Sequence, residues 1–332
     1  MKSCIETLEE KAKSNPQRVI FPEGGDTGIL TAASMIVSRG VAYPILIGDP
    51  DEIRTAAKQG GISLDGIELR RPASEETISV WAEKYAADGG ELSAKAISRR
   101  LTKPLYQGAA AVQYGKADAM VAGISCTTGD VIIASQIMIG TAPGIKTPSS
   151  FFLMEIPGYK SAEGNLIIFA DCGVCPEPTP DELADIAIAT ADSAKNLLGW
   201  EPRVAMLSFS TKGSSEHEAV DNVLAGLEII RKREPQLAVD GELQLDAAII
   251  PSVARRKVPG ESSVAGRANI LIFPDLNAGN ITYKAVQRFA WANAYGPFLQ
   301  GFAKPVSDLS RGATPEDIVG VTIMSVVRAQ NN

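Results

Sequence analysis

Within eight residues, Ser310-Arg311-Gly312-Ala313-Thr314-Pro315-Glu316-Asp317, the chain sets a hydroxyl, a guanidinium, a glycine and a carboxylate. Ser310-Arg311-Gly312 reads as a turn, with glycine relaxing the backbone where a ligand must come close. Thr314-Pro315-Glu316-Asp317 reads as a helix start: Thr at the N-cap, Pro at the first helical position and acids in the first turn. An arginine just ahead of a helix N-terminus is a good anion site, because the guanidinium fork and the helix dipole attract the same charge. Asp317 lies three residues after Thr314, so a capping-box role is as open to it as a catalytic one.

Four other groups could touch a ligand. Cys126-Thr127-Thr128-Gly129-Asp130 is a hydroxyl-rich loop between an apolar strand and a helix, the usual way an α/β protein builds a ligand crevice. Ser210-Thr211-Lys212-Gly213 could cradle a phosphate with a cation, hydroxyls and amides, although the Gly-x-x-x-x-Gly-Lys spacing of a P-loop is absent; a plain polar loop explains it equally well. Asn277 and Asn280, at another strand-to-helix junction, can order backbone close to a ligand. Lys284 and Arg288 stand one helical turn apart on one face, where a solvated cationic surface is the ordinary explanation.

Metal and triad chemistry fail on residue counts. Cys172-Gly173-Val174-Cys175 has redox or half-zinc spacing, but a second ligand pair is missing and His217 is the only histidine. A Cys/His metal site therefore lacks ligands. The pair follows an apolar run at 166–170 and reads as buried thiols. His217 would have to serve any Ser-His-Asp mechanism, yet it lies in a polar helix start and reads as solvated.

The elements that must position these groups alternate along the chain. Strands are expected at 18–22, 43–47, 67–69, 119–125, 151–156, 166–174, 203–210, 268–273 and 296–306. Helices are expected at 27–39, 50–59, 74–87, 93–115 (bent or broken near Pro104), 131–139, 180–198 and 216–233, with a further helix carrying Lys284 and Arg288. A hairpin is expected around 157–164, and 240–244 reads as a turn before an apolar segment to Ile250. The alternation predicts an α/β protein with parallel sheets flanked by helices. Prolines and a glycine at 141–148 mark a domain boundary.

Length and composition agree with this. The chain has 332 residues, 45% hydrophobic and 21% charged, enough for two domains. A net charge of -7 argues against nucleic acid as a partner, so anionic ligands must be held by local arginines and amides. No apolar run approaches a membrane span, and the first residues lack the apolar core of a signal peptide. Glu6, Glu9 and Glu10 disfavour an amphipathic targeting helix; the expected location is cytoplasmic.

The junctions together resemble the phosphate acetyltransferase (phosphotransacetylase) family, including its ethanolamine-utilisation branch. The matching stretches include Phe21-Pro22-Glu23-Gly24, Ala117-Asp118-Ala119-Met120-Val121-Ala122-Gly123, Ser210-Thr211-Lys212-Gly213, Asp240-Gly241-Glu242-Leu243-Gln244, Phe273-Pro274-Asp275-Leu276-Asn277-Ala278-Gly279-Asn280 and Asp308-Leu309-Ser310-Arg311-Gly312. They follow family order over essentially the full length. The resemblance implies a two-domain α/β enzyme of isocitrate/isopropylmalate dehydrogenase-like architecture, with a cleft between a first domain (1–145 plus 300–332) and an inserted second domain (146–299). It implies a homodimer and the reaction acetyl-CoA + phosphate ⇌ acetyl phosphate + CoA, with CoA as a substrate and no metal or prosthetic group. By the same resemblance Asp317 is the general base for the CoA thiol. Ser310 bonds the sulfur or the carbonyl oxygen, Arg311 holds phosphate, and Arg288 is a second anion-binding residue. Thr127, Thr128, Ser210, Thr211, Lys212, Asn277, Asn280 and Lys284 are expected to line the substrate.

The chain departs from the family pattern at three places where the resemblance implies arginine: at Gly28, at Ile133 and in the segment near 85–90, at Ala87 or a neighbour. They leave open a weakened or repurposed paralogue that binds CoA-like ligands or a protein, and an acyltransferase for a longer acyl group. A dehydrogenase of related architecture is not supported, since no Gly-x-Gly-x-x-Gly or metal-ligating acid cluster occurs.

Overall fold

The computed structural model describes residues 4–331. The chain falls into two compact units, one formed by Met1–Ala142 with Phe302–Asn332 and the other by Pro143–Gly301. In the first segment of unit 1, α1 (Cys4–Ser14), β1 (Gln17–Phe21), α2 (Thr27–Arg39), β2 (Ala42–Ile47), α3 (Pro50–Gly60), β3 (Glu68–Arg70) and α4 (Glu75–Ala87) follow one another. Then come α5 (Ala94–Leu101), α6 (Pro104–Gln113), β4 (Ala119–Ala122) and α7 (Thr128–Met138).

Unit 2 begins with β5 (Ser149–Glu155), β6 (Leu166–Ala170) and α8 (Pro180–Ser193), which a π-helical turn, Ala194–Leu198, extends. It continues with β7 (Arg203–Leu207), α9 (Glu218–Arg233), β8 (Ala238–Leu243), α10 (Leu245–Ile249) and α11 (Pro251–Lys257). It ends with β9 (Ile270–Ile272), α12 (Leu276–Phe289) and β10 (Asn293–Gln300). The chain then returns to unit 1 for β11 (Val306–Asp308) and α13 (Pro315–Gln330).

The sheet of unit 1 has the order β11-β4-β1-β2-β3, and every pair in it is parallel. Its strands are apolar on both faces, as covering helices require: Val19, Ile20 and Phe21 of β1 and all of β4 are buried. Because β11, β4 and β1 are parallel neighbours, the loops that leave their C-terminal ends share one edge. Those loops start at Leu309, Gly123 and Pro22, and this edge is where ligands collect in open parallel sheets.

The sheet of unit 2 has the order β10-β5-β6-β9-β7-β8. The first two pairs are antiparallel and the other three parallel. Phe152, Met154, Phe169, Leu207, Leu271 and Phe273 lie in the apolar core on one of its faces. The loops after β6, β9 and β7 again share a C-terminal edge.

Several expectations needed correction. The segment 240–244 is not a turn: 240–243 lie in β8, where Asp240 and Glu242 are buried and bonded, and Gln244 is the N-cap of α10. The stretch 296–306 is not one strand. β10 ends in unit 2, Gly301 has a φ of +84°, and β11 starts in the other sheet. The strand expected over 166–174 stops at Ala170, because Asp171 turns the chain by accepting from the amides of Gly173, Val174 and Cys175. One expectation here holds: the helical stretch over 93–115 is broken near Pro104, whose ring nitrogen carries no hydrogen, with α5 ending at Leu101 and α6 starting at Pro104. Helices α1 and α11 had not been expected; α1 is short and charged, with Leu8 and Ala12 buried. Cys172 and Cys175 are buried, and burial raises both thiol pKa values. His217 is exposed and caps α9 by accepting from the Ala219 amide at 3.1 Å.

Candidate active site

The turn expected at Ser310 forms at the C-terminal end of β11. The Leu309 amide donates to Ala122 O at 2.8 Å, continuing the β11–β4 pairing, and the Ala313 amide donates to Ser310 O at 2.9 Å, closing the turn. α13 then begins with a complete capping box. Asp317 N donates to Thr314 Oγ1 at 3.2 Å, while Asp317 Oδ2 accepts from Thr314 N at 2.9 Å and from Thr314 Oγ1 at 2.7 Å. The cap therefore uses one carboxylate oxygen. Asp317 Oδ1 carries no hydrogen bond among the described residues, so capping orients the carboxylate and leaves one oxygen to accept a proton.

Charge in this turn is unevenly answered. Glu316 receives the Arg39 guanidinium at 2.7 and 2.9 Å. Arg311 is exposed and forms no ion pair or hydrogen bond among the described residues. The preceding residue, Ser310, is also exposed, and the Gly312 amide approaches its hydroxyl at 3.4 Å.

On the same edge, the loop after β4 is organised by Glu23, which follows β1. Its carboxylate accepts from the amides of Gly123, Ile124 and Ser125 and from the Ser125 hydroxyl, at 2.6–3.1 Å. Burial works to raise its pKa, but these four bonds outweigh it and hold the carboxyl below the usual range. Thr127 caps α7 in a box with Asp130, and the Thr128 hydroxyl donates to Asp308 Oδ2 at 2.5 Å. Both threonines expected to meet substrate are thus bonded within unit 1. Cys126 is half-buried; burial first, and then Glu23, push its thiol up to about 12, so it stays a neutral thiol.

Glu23 and Asp308 were not singled out by the sequence reading as site residues. The available signal was an acid at the end of each of two apolar strands. Their partners, however, are 100 and 180 residues away, beyond any local pattern. The three departures lie at the N-terminal end of α2 (Gly28), on the surface of α7 (Ile133, 50% exposed) and at the exposed end of α4 (Ala87).

In unit 2 the expected residues divide by how they are bonded. Lys212 is committed: its ammonium donates to Asp240 Oδ1 at 2.5 Å and to Gly241 O at 2.6 Å. Buried Ser210 donates to Glu242 at 2.8 Å, and buried Thr211 accepts from the Gln244 amide at 2.9 Å. The loop is held by its own strand β8, and its cation and hydroxyls are occupied. Asn280 donates to Cys172 O at 3.0 Å, tying α12 to the loop after β6. A side chain at neighbouring Gly279 would collide with Asp171 O, so glycine permits this close approach. Asn277, Lys284 and Arg288 are exposed on α12 and form no ion pair among the described residues. Lys284 lies over the Tyr283 ring, 5.8 Å from its centre.

Among the described residues no group of three or more His, Cys, Asp or Glu side chains could hold a metal ion, and no helix is long and apolar enough to cross a membrane.

Both units are parallel-rich α/β layers, and in unit 1 the Ser310–Arg311 turn leads directly into the capped helix α13. The model of the phosphate acetyl/butaryl transferase family matches residues 3–326, and the chain belongs to that family. It is 48% identical to a phosphate acetyltransferase of Thermoanaerobacterium thermosaccharolyticum, over 99% of this chain and 100% of that one. A phosphotransacetylase structure from Streptococcus pyogenes superimposes with a TM-score of 0.91 at 37% identity, covering all of both chains. The EutD phosphotransacetylase from Staphylococcus aureus does so with a TM-score of 0.87 at 36% identity, over 98% of each.

Proposed function

We propose that this protein transfers an acetyl group reversibly between CoA and inorganic phosphate, through Ser310, Arg311 and Asp317. The reading is supported by consecutive exposed Ser310 and Arg311, the latter unpaired among the described residues, one short turn ahead of a carboxylate whose Oδ1 has no hydrogen bond among them. The free thiol has a pKa of about 8.5, so only a few per cent is thiolate at neutral pH. Asp317 Oδ1 takes the thiol proton as sulfur attacks the acetyl carbonyl carbon. A carbon–sulfur bond forms, the carbonyl electrons move to oxygen, and their return breaks the bond to the phosphate oxygen. Arg311 holds the phosphate in its planar fork and, with Ser310, answers the charge that builds on the intermediate.

Arg288, Lys284 and Asn277, exposed on α12, are carried forward as binding residues for the phosphates of CoA. Ser210, Thr211, Lys212, Asn280, Thr127 and Thr128 are assigned to holding the loops that shape the site, as their internal bonding supports. The domains are proposed as 1–145 with 300–332 and as 146–299. A homodimer is supported by the exposed Phe289 and Trp291. A cytoplasmic location fits substrates that are charged and do not cross membranes unaided.

Acetyl phosphate and CoA mixed with the protein should give a rising thioester absorbance. Absence of that signal at saturating substrate, with no CoA binding by calorimetry, rejects the reading. One variation, a longer acyl chain, is decided by propanoyl and butanoyl phosphate in the same assay.

A further inference from the structure

Asp308 ends β11, two residues before Ser310, and is only 2% exposed. Its Oδ2 accepts from Thr128 Oγ1, while Oδ1 has no hydrogen-bond partner. Among the described residues it is the one buried side-chain nitrogen or oxygen left in that state. An unpaired buried carboxylate oxygen is costly, and such groups concentrate where function requires them. Backbone closes over it: Gly123, at a φ of +118°, sits so near that a Cβ there would collide with Oδ1 and stand 2.7 Å from Leu309 N.

The bond to Thr128 joins two elements. Asp308 leads into the Ser310–Arg311 turn, and Thr128 is the first residue of α7. Among the described residues it is the one side-chain bond by which Asp308 and Thr128 tie that turn to that helix. The charged or titratable groups of the surrounding loops and helices are Glu23 from the loop after β1, and Cys126 and Asp130 from the loop and first turn of α7. Glu23 is kept ionised by its four bonds, and Cys126 stays a neutral thiol. Hydrogen bonding by Thr127 holds the Asp130 carboxyl low. From α13, Ser325 bonds Ser307 and Arg328 reaches Val306 O, at the other end of β11.

We propose that Asp308, acting through Thr128, is a positioning residue that fixes the Ser310–Arg311 turn against the start of α7 for acyl transfer. The proposal rests on the acyltransferase reading above. Burial first, and then the negative Glu23, push the Asp308 carboxyl up to about 6, against the bond from Thr128. Above that pH the carboxylate accepts a charge-assisted bond from Thr128; below it the bond weakens to a neutral one. Turnover is therefore expected to fall as pH drops through about 6.

The test compares Asp308→Asn, Thr128→Val and Thr128→Ser with the wild type in full kcat and KM profiles against pH. Asp308→Asn is expected to lower kcat about tenfold or more, since small misplacements of reacting groups cost this much. KM for CoA and acetyl phosphate should stay within about threefold, and the acidic limb near pH 6 should vanish or move. Thr128→Val should reproduce the loss in kcat, while Thr128→Ser, which keeps the hydroxyl, should restore it. A folded Asp308→Asn with wild-type kcat and an unchanged acidic limb overturns the proposal, as does Thr128→Ser as impaired as Thr128→Val. Should Asp308→Asn fail to fold, the two Thr128 variants decide alone. Wild-type protein without turnover at any pH removes the acyltransferase reading and this inference with it; an active wild type with indifferent variants removes only the inference.

Discussion

Arg311 and Asp317 can be tested separately because their structural duties differ. Arg311 has no partner among the described residues, so Arg311→Gln and Arg311→Lys should leave the melting temperature unchanged. Turnover should nevertheless fall roughly a hundredfold or more, the usual loss when one contact to a developing oxyanion is removed, and lysine cannot reproduce the two-pronged grip on phosphate. Kinetics beside a thermal melt check both halves; a loss of less than about threefold would take Arg311 out of the mechanism. Asp317→Asn keeps an acceptor for the capping box, so stability should hold within about 1 kcal/mol. The general base is lost, however, and turnover should collapse, recovering in part at high pH where the thiol ionises unaided. A variant that is fully active but melts early would assign Asp317 to capping alone.

Asp308 also leaves a mark on stability. Its folded value of about 6 exceeds the roughly 3.9 of an unfolded aspartate. Between those values the folded state binds more protons, so this residue's contribution to stability falls as pH rises through that window. Glu23 runs the other way: its depressed carboxyl contributes stability that is lost as pH falls through its folded value. Asp308→Asn should remove the first slope, changing the difference in unfolding free energy from wild type by on the order of 2–3 kcal/mol between about pH 4 and 6. Denaturant titrations across that range measure it; parallel curves would mean that the carboxyl is not perturbed.

At the scale of elements, local chemistry was legible and distant chemistry was not. The helix start at Thr314 could be read because cap, proline and acid occur within four residues, and α13 begins there. The Ser310–Asp317 grouping was visible for the same reason. β8 was misread because Asp240, Gly241 and Glu242 carry turn chemistry. What makes them a strand is Lys212, Ser262 and Ser210, which answer the two acids from 22 to 32 residues away. The loop at Ser210–Lys212 reads equally as a phosphate cradle or a plain polar loop from sequence alone, because the β8 acids that bond its hydroxyl and cation lie 28 to 32 residues further on. α7 offers the prediction that belongs to this scale. Ile133 is half-exposed on it, and an arginine there adds a cation without burying one. If the anion site is merely weakened, Ile133→Arg should lower KM for CoA or phosphate by about tenfold, the equivalent of roughly 1.5 kcal/mol for one charge-assisted contact. If Ile133 instead lines an acyl pocket, the same change should abolish a preference for longer acyl phosphates.

For the molecule as a whole, the two most exposed aromatic side chains among the described residues lie near the end of α12: Phe289 is 87% and Trp291 85% exposed. Large aromatic groups in that state are rare on a monomer's surface. Sedimentation of the wild type should therefore report a dimer, and Phe289→Ser with Trp291→Ser should shift it toward monomer without unfolding either unit. A monomeric wild type would leave the aromatic pair without this explanation.

Unit 1 is interrupted: β4 pairs with β1 on one side and with β11 on the other, and α13 covers β1 and β4. The strand and helix that complete this sheet are made only after all of unit 2. On the ribosome the order of folding should therefore invert the order of synthesis. Unit 2 can close once Gly301 is free, whereas the first 142 residues must wait for the final segment, a delay of a few seconds at roughly 5–20 residues per second. During that wait β4 has an open edge of the kind that recruits other chains. Nascent chains stalled with residue 301 just outside the exit tunnel should give a protease-resistant fragment from unit 2 and none from unit 1. A chaperone that guards exposed strands should bind this intermediate and release it when Val306–Asp308 emerges.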